Sequence, residues 1–106
     1  MMVFSEYQAA AARTAARSGD DRTDAMISAI GLCGEAGEVA EIVKKHLGHG
    51  KRLDLVSLSY ELGDVLWYVA DIATRFNLDL GQIAAQNVAK LRERYPAGFT
   101  PEISNG

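Results

Sequence analysis

Four carboxylates stand in two pairs. Glu35 and Glu38 lie in the stretch Gly31-Leu32-Cys33-Gly34-Glu35-Ala36-Gly37-Glu38, and Glu61 and Asp64 lie in Glu61-Leu62-Gly63-Asp64. Residues three apart on a helix point to one side. Each pair is therefore an acidic claw, and two claws on neighbouring antiparallel helices face each other. Ionised carboxylates repel and are costly to bury unpaired, so the arrangement demands a cation. Hard oxygen ligands favour magnesium or manganese, and carboxylate-held magnesium usually also holds a substrate's phosphates. The spacing predicts an active site in which Glu35, Glu38, Glu61 and Asp64 bind Mg2+, with Mn2+ as the substitute. A single i, i+3 acid pair is usually a solvated face. Here both pairs fall beside apolar stripes and both adjoin glycines.

The elements that must position the claws follow from hydrophobic periodicity. Alanine-rich residues from Phe4 to Ala16 predict a first helix, and Ser18-Gly19-Asp20-Asp21 a loop. A second helix is predicted over 24–47, capped by Asp24. Its core stripe is Leu32, Ala36, Val39, Val43 and Leu47, and Glu35 and Glu38 interrupt an adjoining stripe of Ile27, Gly31 and Ile42. Gly48 and Gly50 end it. A third, strongly apolar helix is predicted over 55–76 and should be buried in a bundle. Asp79 and Gln82 form a candidate capping box for a fourth, which Pro96 stops. No strand alternation of useful length is present. The expected fold is all-α and four-helix bundle-like, one domain over 1–106 with its core at about 4–96 and an extended tail at 97–106. Gly31, Gly34, Gly37 and Gly63 sit inside these helices at about 0.8–1 kcal/mol each relative to alanine. They imply either close helix approach or room for a metal and a phosphate chain.

Composition narrows the function. At 106 residues, 48% hydrophobic and 24% charged, the chain suits one globular domain. A net charge of −3 argues against a nucleic-acid binder, which is usually basic, yet leaves nucleotide substrates open. One cysteine, Cys33, forms no internal disulfide and fits a reducing cytoplasm; it reads as a small buried hydrophobe. No apolar run approaches the ~20 residues of a membrane span, and Met1–Gln8 lacks the pattern of a secretion signal.

Gly-Glu-Ala-Gly-Glu-Val-Ala-Glu, then Glu-Leu-Gly-Asp-Val-Leu-Trp-Tyr, then Asn87-Val88-Ala89-Lys90-Leu91 with Arg94-Tyr95-Pro96 and Gly98-Phe99, resemble the MazG-like nucleotide pyrophosphohydrolases of the all-α NTP pyrophosphatase superfamily. The resemblance spans about residues 24–99. It implies hydrolysis of a (deoxy)nucleoside triphosphate to monophosphate and pyrophosphate, a nucleotide-pool housecleaning role, and magnesium ligands at Glu35, Glu38, Glu61 and Asp64. Some relatives carry a further glutamate directly before the first of the motif. This chain has Gly34 there, so water activation falls to one of the four ligands or to the cation. The resemblance also implies a homodimer or a dimer of dimers with nucleotide pockets near the subunit boundary. The wide apolar faces of the second and third helices independently call for such burial.

Other residues carry two readings each. Lys45, on nearly the stripe of Glu38, is a phosphate ligand or half of a surface ion pair. Trp67 and Tyr68 stack on a base or belong to the core. The resemblance brings Asn87 and Lys90 near the nucleotide, with Arg94 one turn along; otherwise they form a polar outer face. Lys51, Lys90 and Arg94 are candidates to reach a neighbouring subunit's substrate. Asp71, two turns beyond Asp64, can support the ligands from behind, whereas Glu41 points to solvent. His46 and His49 read as solvated loop histidines. Competing functions are a non-catalytic helical interaction module and a phosphoribosyl-ATP or deoxynucleotide-specific pyrophosphatase. A di-metal redox bundle requires Glu-x-x-His ligands, which are absent from the sequence.

Overall fold

A computed structural model describes residues 1–99. They form four helices, α1 (Phe4–Ala12), α2 (Asp21–His49), α3 (Leu55–Arg75) and α4 (Leu80–Arg94), with no strand among the described residues. The all-α expectation and the number of helices are matched. Among these residues no helix is long and apolar enough to cross a membrane.

Three boundaries differ from the sequence reading, two through side-chain bonding and one through a glycine turn. α1 stops at Ala12 rather than Ala16. Thr14 turns its hydroxyl onto the Ala11 carbonyl at 3.0 Å and receives the Trp67 indole N–H at 2.9 Å, while the Ala16 carbonyl accepts from Arg75 at 3.0 Å. These contacts outweigh the propensity of Ala15 and Ala16 to continue the helix. α2 is capped by Asp20, not Asp24: Asp20 accepts from the N–H groups of Arg22 and Thr23 and from the Thr23 hydroxyl. Asp24 is buried instead. The far end runs through Gly48 to His49, where Gly50 turns left-handed at φ 68° and closes the helix, and Lys51 N–H reaches the Lys45 carbonyl. His46 is therefore helical, its Nδ1 2.8 Å from the Lys51 carbonyl, rather than a free loop residue. Asp54 caps α3 through Val56 and Ser57. Asp79 caps α4 as expected, accepting from Gln82 N–H at 2.9 Å. The tail expected to be extended instead turns at 96–99, with Gly98 at φ 88° and Phe99 against Tyr95; residues 100–106 lie outside the described residues.

α2 and α3 lie side by side as an antiparallel hairpin, α1 crosses α3, and α4 packs on α1. Gln8 fastens that last contact. Its amide donates to the Thr74 hydroxyl and the Leu78 carbonyl, and its oxygen accepts from Leu80 N–H at 2.8 Å. The buried apolar set is small, namely Ala11, Ala70, Ala73 and Leu80 among the described residues, with Tyr7, Trp67 and Val69 packed against it. Much of the predicted core faces outward. On α2, Val43 and Leu47 of the expected core stripe are exposed, as are Met26, Ile27 and Ile30. On α3, Leu55, Val56, Tyr60, Leu62 and Leu66 are exposed. With α4 on α1, no fourth helix covers the α2–α3 hairpin within one chain. The radius of gyration, 16.7 Å, exceeds the ~13 Å of a compact domain of this length.

Candidate active site

One face of α2 runs against one face of α3 in strict step. Asp24 meets Arg75, Ser28 meets Asp71, and Gly31 receives the ring of Tyr68. Each step of three or four residues up α2 is matched by the same step back along α3. Continued in that register, Glu35 comes level with Asp64 and Glu38 with Glu61. Carboxylate oxygens of Glu35, Glu61 and Asp64 lie within 4.8 Å of one another, a spacing that can hold one metal ion. Glu38 is exposed on the same seam, and its carboxylate is outside that group.

A hydrogen bond with a second acid sets the chemistry of Glu35. Its carboxyl is pushed up to about 7 from an ordinary 4.5, first by a hydrogen bond shared with Glu61, then by burial and by the charges of Glu61, Asp64 and Glu38. Its Oε2 is buried and lacks a protein partner. A carboxylate oxygen buried without a donor, beside two further acids, is what a divalent cation would satisfy. The hard oxygen donors also fit magnesium or manganese rather than a soft-ligand metal. Without a cation, the raised value makes the Glu35 proton stabilising. That stability is complete below the unfolded value of 4.5 and is lost as pH rises through about 7. In chelator the melting temperature should fall across this window. The fall should disappear in Glu35→Gln and be offset by added Mg2+. A melting temperature with the same pH dependence in both proteins would contradict the shared proton.

Only one of the four mid-helix glycines is required by close approach. A Cβ on Gly31 would lie 2.5 Å from Tyr68 Cζ and 2.8 Å from its hydroxyl, whereas one on Gly34, Gly37 or Gly63 would meet nothing within 4 Å. Gly31→Ala is expected to lose about 1–3 kcal/mol through overpacking. Gly34→Ala should instead be neutral or gain up to ~1 kcal/mol from helix propensity. Urea unfolding of both variants checks this, and equal effects would remove the seat assigned to Tyr68.

The remaining candidates fall elsewhere. Lys45 is exposed and pairs with Glu41 at 3.6 Å, the surface ion pair of its two readings. Trp67 packs against the Ala11–Ala70–Leu80 cluster, crosses the Tyr68 ring edge-on at 5.0 Å and bonds Thr14. That is the core reading, on the α1 side of α3. Asn87, Lys90 and Arg94 are exposed on α4, which packs on α1, and the structure does not bring them into the carboxylate cluster. Lys51 is exposed in the α2–α3 connection. Cys33 is exposed, not a buried hydrophobe, because the face of α2 that carries it is uncovered. Sequence reasoning missed Tyr7, whose hydroxyl is raised by burial and by the nearby charge of Asp64; only its place on the apolar face of α1 hinted at it.

A family model, the MazG nucleotide pyrophosphohydrolase domain, matches residues 26–99. The chain belongs to the MazG family. The matched MazG span contains both claws, the whole of α3 and α4, and all of α2 except its first turn. The chain is also 38% identical over 100 residues to the Gene 37 protein of Mycobacterium phage L5, covering 87% of this chain and 88% of that protein. No solved structure matches this MazG chain.

Proposed function

We propose that this MazG domain is a divalent-cation-dependent nucleoside triphosphate pyrophosphohydrolase, releasing the monophosphate and pyrophosphate. The observation that carries the reading is the convergence of Glu35, Glu61 and Asp64 from two helices around a buried, unpartnered Glu35 Oε2. Family membership supplies the reaction class. Glu35, Glu61 and Asp64 would hold Mg2+ or Mn2+, with Glu38 swinging in from its exposed position on the seam. Bound there, the cation lowers the pKa of water and stabilises charge on the transferred phosphoryl oxygens. The protein's own part is to keep the three carboxylates aimed at one point. Glu35 carries a proton on that cluster near neutrality when no cation balances it.

The assembly belongs to the same reading. A second copy would cover the outward apolar residues of α2 and α3, and the α4 of that copy would bring Asn87, Lys90 or Arg94 toward the phosphates. Support comes from the small buried core and from the number of large apolar side chains left exposed. The test of the proposed activity is a panel of ribo- and deoxynucleoside triphosphates incubated with purified protein. At least one should be consumed with Mg2+ or Mn2+ and none in chelator. A panel left intact under both conditions would refute it and leave a helical interaction module.

A further inference from the structure

The acidic end of the α2–α3 seam cannot align itself. Glu35, Glu38, Glu61 and Asp64 are all acids, so beyond the one proton that Glu35 holds, the negative charge left on the cluster pushes the two helices apart or along each other until a cation arrives. Apart from the Tyr68 ring seated on Gly31, the flanking side chains are half-buried aliphatics such as Leu32, Val39, Leu58, Val65 and Ile72, whose attraction is non-directional. A slip of one residue moves a helix by ~1.5 Å, whereas metal ligands must sit within ~0.2 Å of their positions. Something directional must set the register.

Two turns from the claws the same seam becomes a buried polar network. The Ser28 hydroxyl donates to Asp71 Oδ2, and the same oxygen accepts from Arg75 Nε at 2.8 Å. Arg75 Nη1 faces Asp24 Oδ2 at 3.9 Å, and its Nη2 donates to the Ala16 carbonyl. Asp24 accepts from both the backbone N–H and the hydroxyl of Ser18. Asp71 is 1% exposed, and Asp24 and Ser28 are 4% exposed. Groups this buried keep their partners, because an unpaired buried charge is heavily penalised.

We propose that Ser28, Asp71, Arg75 and Asp24 are positioning residues: their cross-links lock α2 and α3 in the register at which the claws converge on one cation. The inference rests on the metal reading above. Its test is Mn2+ binding by isothermal titration to the full chain, alongside melting temperature. Asp71→Ala should weaken Mn2+ by roughly 10-fold, the lower end of the loss seen when partners that touch metal ligands directly are removed, because Asp71 acts on the claws through the helix register. Asp71→Asn keeps an acceptor for Ser28 and Arg75 and should recover most of that loss. Should Asp71→Ala fail to fold, Ser28→Ala deletes one oxygen of the same cross-link and should still weaken binding measurably. Gln8→Ala removes the bonds that tie α1 to Thr74, Leu78 and Leu80 but none of the cross-links between α2 and α3, and should lower the melting temperature without changing Mn2+ affinity. Wild-type Mn2+ affinity in folded Ser28→Ala and Asp71→Ala would overturn the proposal, as would an equal affinity loss in Gln8→Ala. A wild-type protein that binds no Mn2+ would instead remove the metal reading, and this inference with it.

Discussion

Glu61→Gln is expected to abolish turnover while leaving the helices intact. The side chain keeps its shape but loses the charge that a divalent cation would meet from α3. Loss of a single group that stabilises transition-state charge lowers rates by on the order of 10²–10³-fold, and a metal ligand should sit at or beyond the upper end. The variant carries an internal signature. Glu61 is the principal cause of the raised Glu35 carboxyl, and a neutral amide in its place can donate to Glu35. Glu35 should then titrate nearer the ordinary carboxylate range, and the cation-free protein should be no less stable than the wild type near neutral pH. Circular dichroism, melting in chelator and steady-state kinetics together check this. Glu38→Gln should also lose turnover, by removing the fourth carboxylate of the proposed cation site. Full activity in either variant would remove that residue from the site.

The second large effect concerns assembly. Light scattering at micromolar concentration is expected to give at least twice the 11.4 kDa chain mass. The reason is the distribution of apolar surface. Ile30 is 66% exposed, Tyr60 73% and Leu47 75%, and they lie on the two helices that carry the claws. Monomers rarely expose contiguous apolar patches of more than a few hundred Å², and a two-fold axis would cover the same surface on both copies. A mass near that of one chain, with full activity, would refute the expectation.

What could be read from the sequence was whatever depends on spacing alone. The two claws are visible because carboxylates three apart on a helix must share a face, and the α3 apolar periodicity and the Asp79 cap are local signals too. Asp24 shows where local signals fail. It precedes an apolar periodic stretch and so reads as a cap, yet Asp20 takes that role and Asp24 turns inward to Ser18 and Arg75. No local pattern announces a partner 51 residues away. Ser28 and Asp71 are lost in the same way, as ordinary polar residues until the register joins them. Trp67 carried both a stacking and a core reading, because an indole suits either; it lies half-buried against the Ala11 cluster with its N–H on the Thr14 hydroxyl. The stripe that holds Val43 and Leu47 is apolar as read, but periodicity does not say whether the rest of the same chain covers that face, and here it leaves both exposed.

The proposed reaction is pyrophosphate release from a nucleoside triphosphate at the α2–α3 seam. Phosphorus NMR of the wild-type reaction tests it most directly, with the best substrate of the panel in Mg2+ and again in chelator. Equal amounts of pyrophosphate and nucleoside monophosphate are expected with Mg2+, and unchanged triphosphate without it. Orthophosphate and diphosphate as the primary products, or the same turnover in chelator, would contradict it.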